Sequence, residues 1–167
     1  MIMTGEGVDA VGWSEERVAA AMDFIASRIR TDFEGVTGAP VGDLLTLRID
    51  PTWANDGDWP ADRRPGESPR PDDVIAVLFG GRHEFPVGLE IGVEYACYLV
   101  ADRMQDNLVD ELGRPWPELH GPTGRFAGVL EPRYERALAC WALRGQPFCA
   151  VGQLAPAVPA AGFLIAG

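Results

Sequence analysis

Apolar residues recur at intervals of three and four from Val18 through Met22 and Ile25 to Ile29, the spacing of one buried helical face. Ser14 precedes this run, and its hydroxyl can accept an orphan backbone hydrogen at the helix start. Glu15 and Glu16 stand where the positive helix end favours carboxylates, and Trp13 and Val18 occupy the two positions of a hydrophobic staple. Gly35 and Gly38 mark the expected end. Leu44 to Ile49 then reads as a short strand, with Leu45, Leu47 and Ile49 alternating onto one face. Val74 to Phe79 is an uninterrupted apolar strand. Gly80-Gly81 can turn it back into Arg82 to Phe85, with Phe79 opposite Arg82, Val77 opposite Glu84 and Pro86 ending the return.

The next segment carries two periods at once. Val87, Leu89, Ile91, Val93 and Tyr95 alternate with polar residues or glycine, as in a strand. From Val93 onward, Cys97, Val100, Met104, Leu108 and Leu112 follow a helix. The combined pattern predicts a helix from about Gly92 to Leu112, capped by Gly113 and stopped by Pro115. Beyond it, Arg125 to Leu130, Tyr134 to Leu143 and Phe148 to Leu154 read as strands, with Arg144-Gly145 as a two-residue turn. The tail from Ala155 carries Phe163-Leu164-Ile165, suited to covering a core edge or offering a small apolar patch. Helices and adjacent hairpins in this order predict a two-layer α+β domain. In it, antiparallel β-hairpins pack against a long central helix and an N-terminal helix. Repeated strand-helix alternation, the mark of a doubly wound sheet, is missing.

Composition refines this picture. A chain of 167 residues with 47% hydrophobic positions suits a single domain over 1–167, and 20 Gly and 14 Pro predict substantial loop. Much of that loop falls at 51–71, expected to be a mobile surface segment. The formal charge is −11, and all 14 basic residues are arginines. Such a field repels phosphate backbones, which disfavours general nucleic-acid binding and leaves basic protein partners, metal ions and cationic small molecules open. No apolar run is long enough to span a bilayer, and the first residues lack the pattern of a signal peptide. Cytoplasmic residence is the resulting expectation.

Candidate chemistry is sparse. Counting outward from Arg144-Gly145 places Trp141 across from Phe148 and Cys140 across from Cys149. Two buried thiols are expected there, with a disulfide or a metal role as alternatives. A zinc site would have to gather His120, Cys140 and Cys149 with Glu118 or Glu131, without the short paired spacings zinc usually has. Glu90, Glu94, Asp102, Asp106 and Asp110 are spaced to form an acidic stripe on the central helix, either a solvated face or a surface for a basic partner or a divalent metal. Alternation separates His83 from Glu84, and Cys97 falls on the apolar stripe. The serines lack a nucleophile elbow, and the glycines match no phosphate-binding fingerprint. Trp53, Trp59, Trp116 and Trp141 can serve as surface anchors or close the core.

Asp73 to Val77, Phe85-Pro86, Val100 to Asp106 and Trp116-Pro117-Glu118 resemble a loose group of small uncharacterised actinobacterial proteins. The likeness continues through His120 and Ala139-Cys140-Trp141 and covers roughly half the chain. Members often carry more cysteine and histidine near the Trp-Pro segment, so a metal site there implies a capacity this chain has lost. The resemblance supports the architecture and brings no activity with it.

These features favour a non-enzymatic cytoplasmic interaction or regulatory domain without a cofactor. Its partner would be a protein, a basic one included, met by Trp53, Trp59, Asp102, Asp106 and Asp110. The alternative is a small metal- or ligand-dependent enzyme built on Glu118, His120, Cys140 and Cys149.

Overall fold

The computed structural model describes residues 12–34, 44–53 and 68–166. Helix α1 spans Glu15–Phe33, and Ser14 caps it by accepting the Arg17 amide hydrogen at 3.3 Å. Val18, Ile25, Ile29 and Phe33 are buried along one face, while Met22 packs at its margin. The helix ends at Phe33, so Gly35 and Gly38 lie outside the described residues.

Strands β1 (Leu45–Ile49), β2 (Val74–Leu78) and β3 (His83–Pro86) form an antiparallel sheet in that order. Val77 pairs with Glu84 as the turn glycines predict. The turn itself is wider than two residues: Leu78 pairs with His83, and the Leu78 carbonyl accepts both the Gly81 and Arg82 amides. Phe79 enters this turn at φ 51°, with its amide donating to Leu44 rather than extending the hairpin.

The doubly periodic segment resolves as a turn followed by a helix. Val87 and Leu89 are buried, Ile91 is exposed in the turn, and Gly92 caps helix α2 (Val93–Leu112). Gly113, left-handed at φ 65°, closes it by donating to the Val109 carbonyl. Cys97, Val100, Met104 and Leu108 are buried, whereas Asp106 and Asp110 are exposed.

The second sheet runs β7-β6-β5-β4-β8 and is antiparallel throughout. Its strands are β4 (Glu118–His120), β5 (Phe126–Glu135), β6 (Leu138–Leu143), β7 (Gln146–Ala150) and β8 (Leu164–Ile165). At two places the strands depart from the sequence pattern. Tyr134 to Leu143 is not one strand, because Arg136 and Ala137 turn the chain at φ 51° and 61°. Side chains rarely adopt that conformation, and no glycine announces it. The Arg144-Gly145 turn forms and pairs Ala142 with Pro147, but a bulge then shifts the register. Trp141 therefore faces Cys149, and Cys140 faces Ala150.

Leu154–Ala160, expected partly as strand and partly as irregular tail, forms helix α3, with Leu154 and Val158 buried. The chain then returns so that β8 pairs with β4, half-burying Ile165 and leaving Leu164 exposed. α2 lies against β5 and β6 and crosses α1, which also reaches β1 and α3. One apolar core joins both sheets and the helices. Trp116 and Trp141 are buried in it rather than displayed, with Phe33 4.6 Å and 5.9 Å from their rings. The fold is α+β, with hairpins packed against a long central helix and an N-terminal helix.

Candidate functional site

Glu111 of α2 pairs with Arg82, and the other acidic residues of the helix divide into two roles. Glu94, in the first turn, leaves the solvated stripe. Its Oε1 pairs with Arg28 Nη1 of α1 at 2.6 Å, and its Oε2 accepts the Ala139 amide hydrogen at 2.9 Å. Arg28 Nε also donates to the Val151 carbonyl at 2.6 Å. Four residues on, the buried Asp32 carboxylate accepts hydrogens from Trp141 Nε1, Gly152 N and Leu154 N. Arg28 and Asp32 therefore fasten α1 to β6 and to the turn into α3. Burial still pushes the Asp32 carboxyl above its ordinary value, against the pull of these hydrogen bonds and of Arg28.

Asp102, Asp106 and Asp110 remain on the outer side of α2. Asp102 is half-buried, and burial, then the charge of Asp106, raises its pKa; Arg103 opposes this. Among the described residues no hydrogen bond or ion pair holds its carboxylate.

One turn before Asp102, Tyr98 belongs to an aromatic patch. Tyr95 and Tyr98 of α2 meet Tyr134 of β5, and these are all 3 tyrosines of the chain. Tyr95 meets Tyr134 edge to face at 5.5 Å, and Tyr98 lies 5.9 Å from Tyr95 and 6.4 Å from Tyr134. Tyr134 is 41% exposed and Tyr95 and Tyr98 are half-buried, with Tyr98 packed against the core, so the cluster sits at the core's margin with Tyr134 as its exposed member. Its neighbours are small or charged: Gly88 lies under Tyr95, while Asp102, Arg133 and Arg103 act on Tyr98. Desolvation first, and Asp102 second, raise the Tyr98 pKa.

The other candidates do not converge. Glu118 and His120 share one face of β4, where His120 Nε2 meets Glu118 Oε1 at 2.6 Å. They pair with Val129 and Phe126, near the start of β5, whereas Cys140 pairs with Arg133 further along it. Thus the cluster of Glu118, His120, Cys140 and Cys149 is split by strand register. Among the described residues, no group of three or more His, Cys, Asp or Glu side chains is placed to hold a metal ion. Cys97, Cys140 and Cys149 are free thiols, and burial pushes Cys97 and Cys149 up to about 12. His83 is exposed, its ring edge-on to Phe79. Trp53 is half-buried in the turn after β1, and Trp59 lies outside the described residues, as do residues 54–67 of the expected mobile loop. No helix of the described residues is long and apolar enough to cross a membrane.

No family model, curated protein or solved structure matches the chain.

The tyrosine patch is the feature that sequence reasoning missed. Tyr95, Tyr98 and Asp102 at spacings of three and four announce a mixed aromatic and acidic strip beside the core stripe. The contribution of Tyr134 depends on pairing between β5 and β6, which the missed Arg136-Ala137 turn concealed.

Proposed function

We propose that the protein is a non-enzymatic, cytoplasmic protein-interaction module that meets its partner through Tyr95, Tyr98 and Tyr134, with Asp102 at the border. The observation that carries this reading is the gathering of every tyrosine of the chain into one partly exposed patch at the margin of the core. Tyrosine offers a large rigid contact at small entropic cost and is enriched among residues that dominate interfaces. A partly exposed aromatic cluster adds less to a core than a buried one, and binding accounts for the ring surface left open at Tyr134. Three free cysteines support a reducing compartment. The enzymatic alternative draws no support from Glu118, His120, Cys140 and Cys149: the first two lie on β4 beside the early part of β5, Cys140 lies on β6 beside a later part, and Cys149 lies one strand further out on β7.

Selection from a library of displayed twelve-residue random peptides tests the proposal, using the intact chain as bait. Peptides should be recovered that bind the protein and lose at least about tenfold in affinity against Tyr98→Ser/Tyr134→Ser, a loss expected when interface anchors are removed. Trp53→Ala and Trp59→Ala, run in parallel, measure the share of the loop tryptophans. Peptides indifferent to both tyrosines would reject the assigned surface.

A further inference from the structure

We infer that the tyrosine patch receives an arginine side chain of a partner protein, its guanidinium lying across Tyr98 and Tyr134 and its charge met by Asp102. The inference rests on the interaction reading above and names the chemistry of what binds. Asp102 is half-buried, has no ion pair among the described residues, and sits one helical turn from Tyr98. A partly buried carboxylate that no side chain binds directly, and on which only the charge of neighbouring Arg103 acts favourably, still gains from an incoming cation. Aromatic faces beside it attract the same charge through their quadrupoles.

Ring spacing selects among cations. A quaternary ammonium held between two ring faces needs centroids about 7–8 Å apart, two carbon contacts in sequence. The three rings lie 5.5–6.4 Å apart, in contact with one another, and leave no such slot. A flat guanidinium lies over the outside of the cluster and needs none; it also presents paired donors to a carboxylate, which a lysine ammonium does not. Two further charges belong to the surroundings. Arg103 follows Asp102, and Arg133 is already paired with Glu131 at 3.0 Å. The protein's net charge of −11 makes a second copy of this chain a poor occupant and a basic segment a favoured one.

The test titrates the isotopically labelled intact protein with a ten-residue peptide of glycine, serine and three arginines. Counterparts carry citrulline or lysine at the same three places. The arginine peptide should shift the ring resonances of Tyr98 and Tyr134, and its affinity should exceed that of the citrulline peptide by about tenfold. Asp102→Asn should remove most of that difference, whereas Asp110→Asn, three turns from Tyr98, should leave it in place. Equal binding of arginine and citrulline peptides overturns the inference, as does binding mapped to the Asp110 end of the helix. If displayed peptides engage the tyrosines without arginine dependence, the interaction reading stands and the arginine assignment falls. If no peptide of any class engages the tyrosines, both fall.

Discussion

Asp32 and Trp141 stand 109 residues apart in the chain, and the Trp141 indole N–H donates to Asp32 Oδ2 at 2.7 Å inside the core. The same oxygen accepts the Gly152 amide hydrogen at 2.5 Å, and Oδ1 accepts that of Leu154 at 2.9 Å. One carboxylate thus satisfies three donors that burial would otherwise leave without partners. Asp32→Ala should cost about 3 kcal/mol or more of unfolding free energy, since each stranded donor carries a desolvation penalty. Asp32→Asn should cost less, because the amide oxygen keeps two donors while its NH2 opposes the third. Urea unfolding of both variants checks the order, and wild-type stability in Asp32→Ala would refute this account of the junction.

Much of the fold was legible where one local rule decided the outcome. Ser14 had to cap α1, Gly92 and Gly113 bracketed α2, and Val77 fell opposite Glu84 because glycines centred the turn. The expectations failed where tertiary structure overrode local preference. Arg136 and Ala137 adopt positive φ without a glycine to signal it, and a bulge after Trp141 moved Cys140 from Cys149 to Ala150. The two-residue strand β8 makes sense only beside β4. Asp32 reads in sequence as one more acid on an acidic helix, since nothing local reveals the donors it meets. For the site, the acidic strip of Asp102, Asp106 and Asp110 was visible from helical spacing. The departure of Glu94 into the Arg28 junction was not, because Arg28 lies 66 residues earlier.

The cysteines should be inert in the folded protein. Cys97 and Cys149 are pushed up to about 12 and Cys140 is raised, in each case by burial first. Near neutral pH almost none of their thiolate forms, and the thiolate is the species that reacts. A disulfide-exchange reagent should label no cysteine rapidly in the native state and all 3 after denaturation, without prior reduction. Fewer than three labels in the denatured, unreduced protein would reveal a disulfide.

Gly152 is required by a close approach as well as by its backbone. It adopts φ 91°, and a Cβ there would stand 3.0 Å from both Cβ and Cγ of Arg28 and 3.2 Å from its Cα. Gly152→Ala should therefore cost about 2 kcal/mol, from left-handed strain together with overpacking against α1. Thermal unfolding checks this, with Gly145→Ala as a comparison. Gly145 is also at positive φ but has open space around it, so the difference between the two reports the Arg28 contact.

His120 supplies a pH-dependent tie on β4. Nδ1 lies 3.0 Å from the Gly124 carbonyl and Nε2 lies 2.6 Å from Glu118 Oε1, so the doubly protonated ring donates to both. These contacts, the Gly124 carbonyl foremost, raise its pKa above 6.5. A raised histidine contributes stability that is complete below the unfolded value and is lost as pH rises through the folded one. Titration of the imidazole resonances should show a midpoint above 6.5 that Glu118→Gln lowers. An unchanged midpoint in that variant would remove Glu118 from the tie.

Asp102 should trade stability against binding. Its carboxyl is half-buried, its pKa is raised by burial and then by Asp106, and Asp106 is a like charge at the spacing where such pairs destabilise a helix. For an acid whose folded pKa is raised, protonation favours the folded state. Stability is therefore fullest below the unfolded value near 3.8 and declines as pH rises through the folded value. Asp102→Asn removes the titration, so its unfolding free energy should exceed the wild type's by about 0.5 kcal/mol at neutral pH. The two proteins should converge below pH 3.8, where the wild-type side chain is neutral as well. Denaturant unfolding of both across this range gives the curves. If Asp102→Asn is the less stable at neutral pH, the carboxylate has a partner within the fold and is not held open for a cation.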